Sequence, residues 1–358
     1  MAYLLAGITF KQLLKLFRRN SISLSAACSG KMLFLLHGSL WSSFFARLEY
    51  FRYNKKLEAI SPPDDPVFII GHWRTGSTFL HQLMHLDPSL ITPTLFQVVI
   101  PEGFMVAYPF YRPFMKRFIP TKRPMDNVRL GMDEPQEDEY ALFRMTTHSP
   151  LEYLIFPRKE KYFLDQNQGF VLPGEEQFEW EQKLLLFFKM LTFKTGKIII
   201  SKNPFHSFRI PILVKLFPKA KFIHIIRHPE DIVPSTINMF DIIQRQNIMN
   251  HRHHRPQPEE VISFLDKTWT TIRNDRKLIP SDRFLEINYE SLIAEPLLTI
   301  EHLYQYFGFP LSEPVRSAIV RFLEELKDYK KNEYAITPAV RNLIRERLKH
   351  HYQLFEYK

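Results

Sequence analysis

The sequence predicts an α/β fold, a parallel sheet flanked by helices, and two observations carry that expectation. Three short apolar runs, 67–70, 197–201 and 221–226, read as buried strands, and 283–287 reads as a fourth strand. Segments of helical length lie between them, and strands alternating with helices pair in parallel with helices on both faces.

Each part of the chain follows in order. In the amino-terminal segment 1–60, Leu13, Leu14, Leu16 and Phe17 fall on one side of a helical wheel. Lys11, Lys15, Arg18 and Arg19 fall on the other. This basic amphipathic helix either docks on its own protein or lies in a membrane interface, so peripheral membrane contact through residues 1–48 stays open beside docking. The apolar stretch 32–46 is broken by His37, Gly38 and serines and is shorter than the ~20 residues of a membrane span. No small-residue cleavage site follows a clean apolar core, so no signal peptide is expected. Ser61-Pro62-Pro63-Asp64-Asp65-Pro66 reads as a turn-rich linker, dividing a helical extension, 1–60, from a main domain, 61–358. Residues 92–182, rich in Pro, Phe and Arg, read as an insertion of helices and loops that shapes an acceptor site. Residues 207–217 have helical length, another helix starts near Glu230, and a further one carries Pro296 in its first turn, where proline is tolerated.

A net charge of +10 favours an anionic partner without choosing among a phosphorylated ligand, an acidic membrane and nucleic acid. The single cysteine, Cys28, excludes an intrachain disulfide framework and any multi-cysteine zinc site, and suits a reducing cytoplasm. His251-Arg252-His253-His254-Arg255, interleaved with arginines and followed by Pro256, reads as a basic loop, and no metal is expected.

The chemistry concentrates at Val67-Phe68-Ile69-Ile70-Gly71-His72-Trp73-Arg74-Thr75-Gly76-Ser77-Thr78, a buried strand turning through glycines into an apolar helix. Such a turn aims backbone N–H groups and a helix N-terminus at one point, an anion cradle. Gly71 and Gly76 keep the Walker A spacing, but Ser77 stands where a nucleotide triphosphatase or kinase carries Lys, which weakens a P-loop kinase reading. Arg74 supplies a cation earlier in the loop, with a planar fork suited to phosphate or sulfate oxygens.

These residues resemble the sulfotransferase superfamily, whose donor is 3′-phosphoadenosine 5′-phosphosulfate (PAPS). Arg74-Thr75-Gly76-Ser77-Thr78 looks like the Arg-type loop of many bacterial sulfotransferases and, distantly, of tyrosylprotein sulfotransferases. The resemblance implies a P-loop NTPase-like sheet. It assigns Arg74 to the sulfuryl oxygens and the loop Thr75, Gly76, Ser77 and Thr78 to the 5′-phosphate. In Lys221-Phe222-Ile223-His224-Ile225-Ile226-Arg227-His228-Pro229, with Ser235 eight residues beyond the arginine, Arg227 and Ser235 match the 3′-phosphate motif. Ion pairing of Arg227 with Glu230 or Asp231 is the alternative there.

Lys202-Asn203-Pro204 is similar to the family's Lys-x-Pro segment and makes Lys202 a candidate to neutralise the transferring group. Tyr289, in Asn288-Tyr289-Glu290, matches the tyrosine that borders the adenine. Tyr329-Lys330-Lys331-Asn332 could lay Lys331 on the 3′-phosphate. A general base has to reach the acceptor hydroxyl. The acidic cluster 133–139 offers Glu137 or Glu139 in preference to His81 or His206. The glutamate that tyrosylprotein enzymes carry some twenty residues after the loop arginine is absent, since Thr94-Leu95-Phe96-Gln97 stands there.

The expectation is therefore a sulfotransferase moving a sulfuryl group from PAPS to a hydroxyl or amine of a lipid, steroid-like molecule or glycan, with no metal and no nucleic-acid partner. The heavy use of Phe, 32 residues, and the amphipathic amino terminus favour a hydrophobic or membrane-derived acceptor. A non-catalytic basic protein that binds a membrane surface or nucleic acid is the remaining alternative.

Overall fold

In the computed structural model, residues 4–22, 26–118, 129–158, 172–193, 195–250, 252–327 and 334–357 are described. They divide into two compact units. A helical unit comprises residues 1–63, 93–196 and 240–255, and a sheet unit comprises 64–92, 197–239 and 256–358.

Five parallel strands form the sheet: β1 (Val67–Ile70), β2 (Leu90–Ile91), β3 (Ile198–Lys202), β4 (Lys221–Ile226) and β5 (Phe284–Asn288), in the order β2-β3-β1-β4-β5. The central strand β1 is buried along its whole length. Alternation sends its side chains to opposite layers. Val67 and Ile69 join Leu80, Leu83, Ile200, Ile223 and Leu303 in one core, while the Phe68 ring lies 5.8 Å from Phe217 and 5.3 Å from His206. The registers Ile69↔Lys202 and Ile70↔His224 bring the ends of three strands to the same edge.

The predicted strands are present, with β3 and β5 each displaced by one residue from 197–201 and 283–287. Two features depart from the sequence reading. The two-residue β2 is too short for a periodic signal. The expected helix 207–217 is a 3-10 turn, Pro204–Phe208, followed by the helix Ile210–Leu216. Asn203 Oδ1 accepts the Phe205 N–H at 2.9 Å and starts the turn early, and prolines open both pieces.

In the helical unit, the amphipathic helix Phe10–Arg19 is docked. Leu13 and Leu16 are buried, Gln12 Nε2 donates to Met145 O (2.6 Å), and Arg19 reaches Thr147 O (2.6 Å) and the Glu152 carboxylate. Arg19 and Lys15, the latter 3.4 Å from Thr146 O, complement the C-terminal dipole of the helix Glu139–Thr146. The amino-terminal segment, expected as an appendage, is thus grouped with the 93–196 region rather than set apart from it. The stretch 32–46 lies inside a 33-residue helix, Ala26–Glu58. No helix among the described residues is long and apolar enough to cross a membrane.

Glu49 ties that long helix to the helix Phe104–Phe118. Its Oε2 accepts the N–H groups of Met105 (2.8 Å) and Val106 (3.2 Å), two of the orphan donors of a helix start. Burial raises the Glu49 pKa to about 8 against these lowering bonds, so the neutral acid is the favoured folded form below that pH. An acid raised on folding stabilises fully below its unfolded pKa, and that contribution is lost as pH rises toward 8. Thermal unfolding followed between pH 5 and 9 is therefore expected to show stability falling on the alkaline side. In Glu49→Gln that fall flattens, and an unchanged slope would remove Glu49 as its source.

Candidate active site

The site is built where β1, β3 and β4 end. Gly71 follows β1 with φ 133°, and a Cβ there would meet Ile225 O of β4 at 2.8 Å, so only glycine lets the strands stay this close. Ser207 Oγ accepts the Gly71 N–H (2.9 Å) and donates to Gly71 O (3.2 Å), clamping the turn from the 3-10 segment after β3. His72 Nδ1 lies 2.8 Å from Trp73 O. A carbonyl only accepts, so Nδ1 carries the proton and Nε2 is bare. Burial pushes the His72 pKa down to about 4, which keeps the ring neutral between Trp73 and Phe264. Thr75 Oγ1 donates to His72 O at 2.9 Å.

Arg74 sits at the apex with φ 68°, a left-handed conformation costly for a side chain of this size. Two bonds hold it. Arg227 Nη1 donates to Arg74 O (2.8 Å), and Arg74 Nε donates to Ser235 Oγ (2.8 Å). Arg227, the residue after β4, also donates through Nε and Nη2 to Asp231 (3.2 and 2.8 Å) and lies 4.2 Å over the Tyr289 ring. Asp231 is therefore its ion-pair partner, while Glu230 pairs with Arg341 and Arg345.

Next, Gly76 starts the helix Ser77–His85 at φ 90°, and a Cβ on it would fall 2.3 Å from Tyr289 Cδ2. Tyr289 thus fills the space between the glycine and the Arg227 guanidinium. Ser77 and Thr78 occupy the first turn, whose N–H groups have no intrahelical acceptor. Lys202 ends β3, nearly buried at 4% exposure and in register with Ile69. Two guanidinium groups, a nearly buried ammonium and a helix N-terminus serve the same sheet edge. Asp231, with its side chain 47% exposed, is the ion-pair partner of Arg227. Cations and helix-start N–H groups gathered at one strand end form a cradle suited to an anion.

The structure brings together Arg74, Thr75, Gly76, Ser77, Thr78, Arg227, Ser235 and Tyr289, with Lys202 at the adjoining strand end. Lys331 lies outside the described residues. Tyr334, just beyond that segment, has its hydroxyl 3.1 Å from Asn238 Nδ2, on the helix that carries Ser235. Glu137 and Glu139 belong to the helical unit. Glu139 is fully buried and accepts the Ser149 hydroxyl at 2.5 Å, whereas Glu137 is partly exposed. Gln97, in the stretch lacking the tyrosylprotein glutamate, accepts the Thr94 N–H at 2.8 Å and caps a helix. His253 of the basic loop pairs with Asp241. Elsewhere Asp266 accepts from His351 at 2.8 Å, with His350 beside it. Sequence reasoning missed Ser207 and His72. Ser207 carries no spacing signal, since its role depends on a 3-10 turn that brings it back to Gly71.

A parallel sheet whose strand ends carry a glycine turn, a helix N-terminus and two cooperating arginines defines an α/β protein of P-loop-like architecture. A profile described as "Sulfotransferase family" matches residues 66–313, and the chain belongs to that family. It is a sulfotransferase. The omega-hydroxy-beta-dihydromenaquinone-9 sulfotransferase Stf3 of Mycobacterium bovis is 34% identical over 286 residues, 79% of this chain and 73% of that protein; its Mycobacterium tuberculosis counterpart is equally similar. Among solved structures, sulfotransferase STF9 of Mycobacterium avium has a TM-score of 0.68 at 17% identity, covering 90% of this chain and 85% of its own. STF1 of Mycobacterium tuberculosis has a TM-score of 0.63 at 18% identity, covering 95% and 90%.

Replacing Gly76 by Ala is expected to destabilise the sheet unit by about 1–3 kcal/mol, because the new methyl meets Tyr289 at a left-handed φ. In the Tyr289→Ala background the clash is gone and part of that cost returns. Chemical denaturation of the two single variants and the double variant measures the coupling, and strict additivity would refute the contact.

Proposed function

We propose that this sulfotransferase takes its sulfuryl group from PAPS and passes it to the hydroxyl of a lipophilic acceptor. The observation that carries the donor half is the Arg227–Arg74–Ser235 network, which couples the expected 5′ loop to the expected 3′-phosphate motif. The donor set suits a ligand with two separate anionic ends. Arg227 retains guanidinium N–H groups beyond those given to Asp231 and Arg74 O, and Ser235, which accepts from Arg74, keeps its own O–H to donate. These two residues would hold the 3′-phosphate. The free N–H groups of Ser77 and Thr78 would hold the 5′-phosphate with Thr75 and Gly76, and Tyr289 would border the adenine.

PAPS would supply an activated sulfur already bonded to a good leaving oxygen. In the in-line displacement the acceptor oxygen forms the new S–O bond as the bond to the 5′-phosphate oxygen breaks. The acceptor proton passes to a base, for which Glu137, partly exposed, is a better candidate than the enclosed Glu139. Arg74 and Lys202 offset charge on the equatorial and leaving oxygens, a stabilisation that is stronger in a water-poor site. Ser77 in place of a Walker lysine argues against triphosphate chemistry.

For the acceptor, the reading leans on the related enzymes, which are named for a hydroxylated menaquinone derivative, and on the aromatic content of this chain. A substrate of that kind resides in a lipid phase, so the reading includes a peripheral membrane location.

Binding of 3′-phosphoadenosine 5′-phosphate, followed by thermal shift, is expected to exceed that of AMP, and Arg227→Ala should abolish the difference. Arg74→Ala should lower kcat by at least about 100-fold with a smaller effect on nucleotide affinity. Equal shifts with both nucleotides would overturn the 3′-phosphate assignment. Labelled sulfate transfer to polyprenyl and sterol alcohols in detergent tests the acceptor, and transfer confined to water-soluble alcohols would refute the lipophilic half.

A further inference from the structure

The amphipathic helix Phe10–Arg19, the element that the sequence offers for membrane contact, has its apolar side largely used up inside the helical unit. The unpartnered apolar face is on the next helix. Along Ala26–Glu58, Leu33, Leu40, Phe44 and Phe51 are 71%, 58%, 56% and 70% exposed, and Trp41 beside them is 48% exposed. Positions 33, 40, 44 and 51 repeat at helical spacing over five turns, so the stripe runs about 27 Å. Phe110, 62% exposed on the helix Phe104–Phe118, sets its ring 6.0 Å from the buried Phe45 and adds a further exposed aromatic to this unit. Contiguous exposed apolar surface of this length marks an interaction site.

We infer that this face of the Ala26–Glu58 helix is the surface on which the protein lies on an anionic lipid bilayer. Charge selects this occupant. The exposed cations Arg47, Arg52, Lys55 and Lys56 lie along and just beyond the carboxyl end of the stripe. From residue 29 to residue 57 the helix has no exposed carboxylate, because its single acid there, Glu49, is buried against the Phe104–Phe118 helix. Two copies paired through this stripe would set the four cations of each against a helix whose one exposed carboxylate is the terminal Glu58, whereas phosphate headgroups supply counter-charge along its whole length. Arg47 already lies 4.9 Å over the Phe51 ring, a posture that buries the stem of the cation beside the ring and leaves its head near headgroup level. Trp41 in the stripe is the residue type enriched at membrane–water boundaries.

The inference rests on the lipid-acceptor reading only in that the same bilayer would hold the substrate. Its test is separate. Of the four tryptophans, Trp73, Trp180 and Trp269 are at most 7% exposed, so quenching by brominated phospholipid in vesicles reports Trp41. The full chain is expected to sediment with phosphatidylcholine vesicles that contain phosphatidylglycerol, to bind pure phosphatidylcholine at least about tenfold more weakly, and to show quenching. The exposed-residue variant Leu40→Asp/Phe44→Asp should lose vesicle binding at least about tenfold, and Arg52→Gln/Lys55→Gln/Lys56→Gln should lose the preference for the anionic lipid. Both variants should keep wild-type kcat on a detergent-dispersed acceptor. Absence of vesicle binding, or a concentration-dependent dimer that Leu40→Asp/Phe44→Asp dissociates without any quenching in the wild type, would overturn the inference. Vesicle binding with no transfer to any lipid alcohol would leave docking standing and remove the acceptor reading instead.

Discussion

The site depends on a residue held where it would not go by itself. Arg74 adopts a left-handed backbone because Gly71 and Gly76 on either side also take positive φ, and the turn between them is too tight for extended geometry. What keeps it there is a second arginine. Arg227 bonds the Arg74 carbonyl, and Ser235, eight residues further along the same segment, takes the Arg74 Nε. The end of β4 therefore orients the loop that follows β1. Asp231, half in solvent, holds the Arg227 guanidinium in this posture. A loop oriented in this way before any ligand arrives has less ordering left to lose on binding one.

Polar groups are enclosed in both units, and they do different work. In the sheet unit, buried polarity shapes the loop. His72, kept neutral by burial, donates to a backbone carbonyl, and Ser207 spends both donor and acceptor on a single glycine. Neither needs to touch a ligand to matter, because a small displacement of the turn moves every N–H aimed from it. In the helical unit, Glu49 caps a helix start and Glu139 holds Ser149, so carboxylates that look alike in sequence are committed to architecture.

Most of the candidate site was legible in the sequence because each of its motifs is local. A buried strand, a glycine-bounded loop and the start of an apolar helix occupy the twelve consecutive residues 67–78, and Arg227 to Ser235 lie within one strand end and its helix. The strand register then adds only the alignment of their ends. Less local features were hidden. The Ser207 clamp spans 136 residues of sequence and a 3-10 turn, β2 is two residues long, and the contact between Gly76 and Tyr289 joins positions more than two hundred residues apart. The amino-terminal segment was legible as amphipathic helix but not as docked, because a hydrophobic stripe is the same pattern whether protein or lipid covers it.

That ambiguity explains why the two halves of the reaction differ in how they are encoded. A doubly anionic donor is recognised by cations, helix starts and glycines at fixed offsets, and a chain that moves any of them loses the charge arrangement. A hydrophobic acceptor imposes area and shape, which many combinations of Phe, Leu and Trp can satisfy with no fixed spacing. The long helix makes the same point at its surface. Its inward side is fixed by specific partners, Glu49 on two N–H groups and Phe45 against Phe110 and Tyr111, while its outward side is specified only as apolar and bordered by cations. A planar lipid surface demands no more than that, since it has no side chains to complement and offers charge only at headgroup depth.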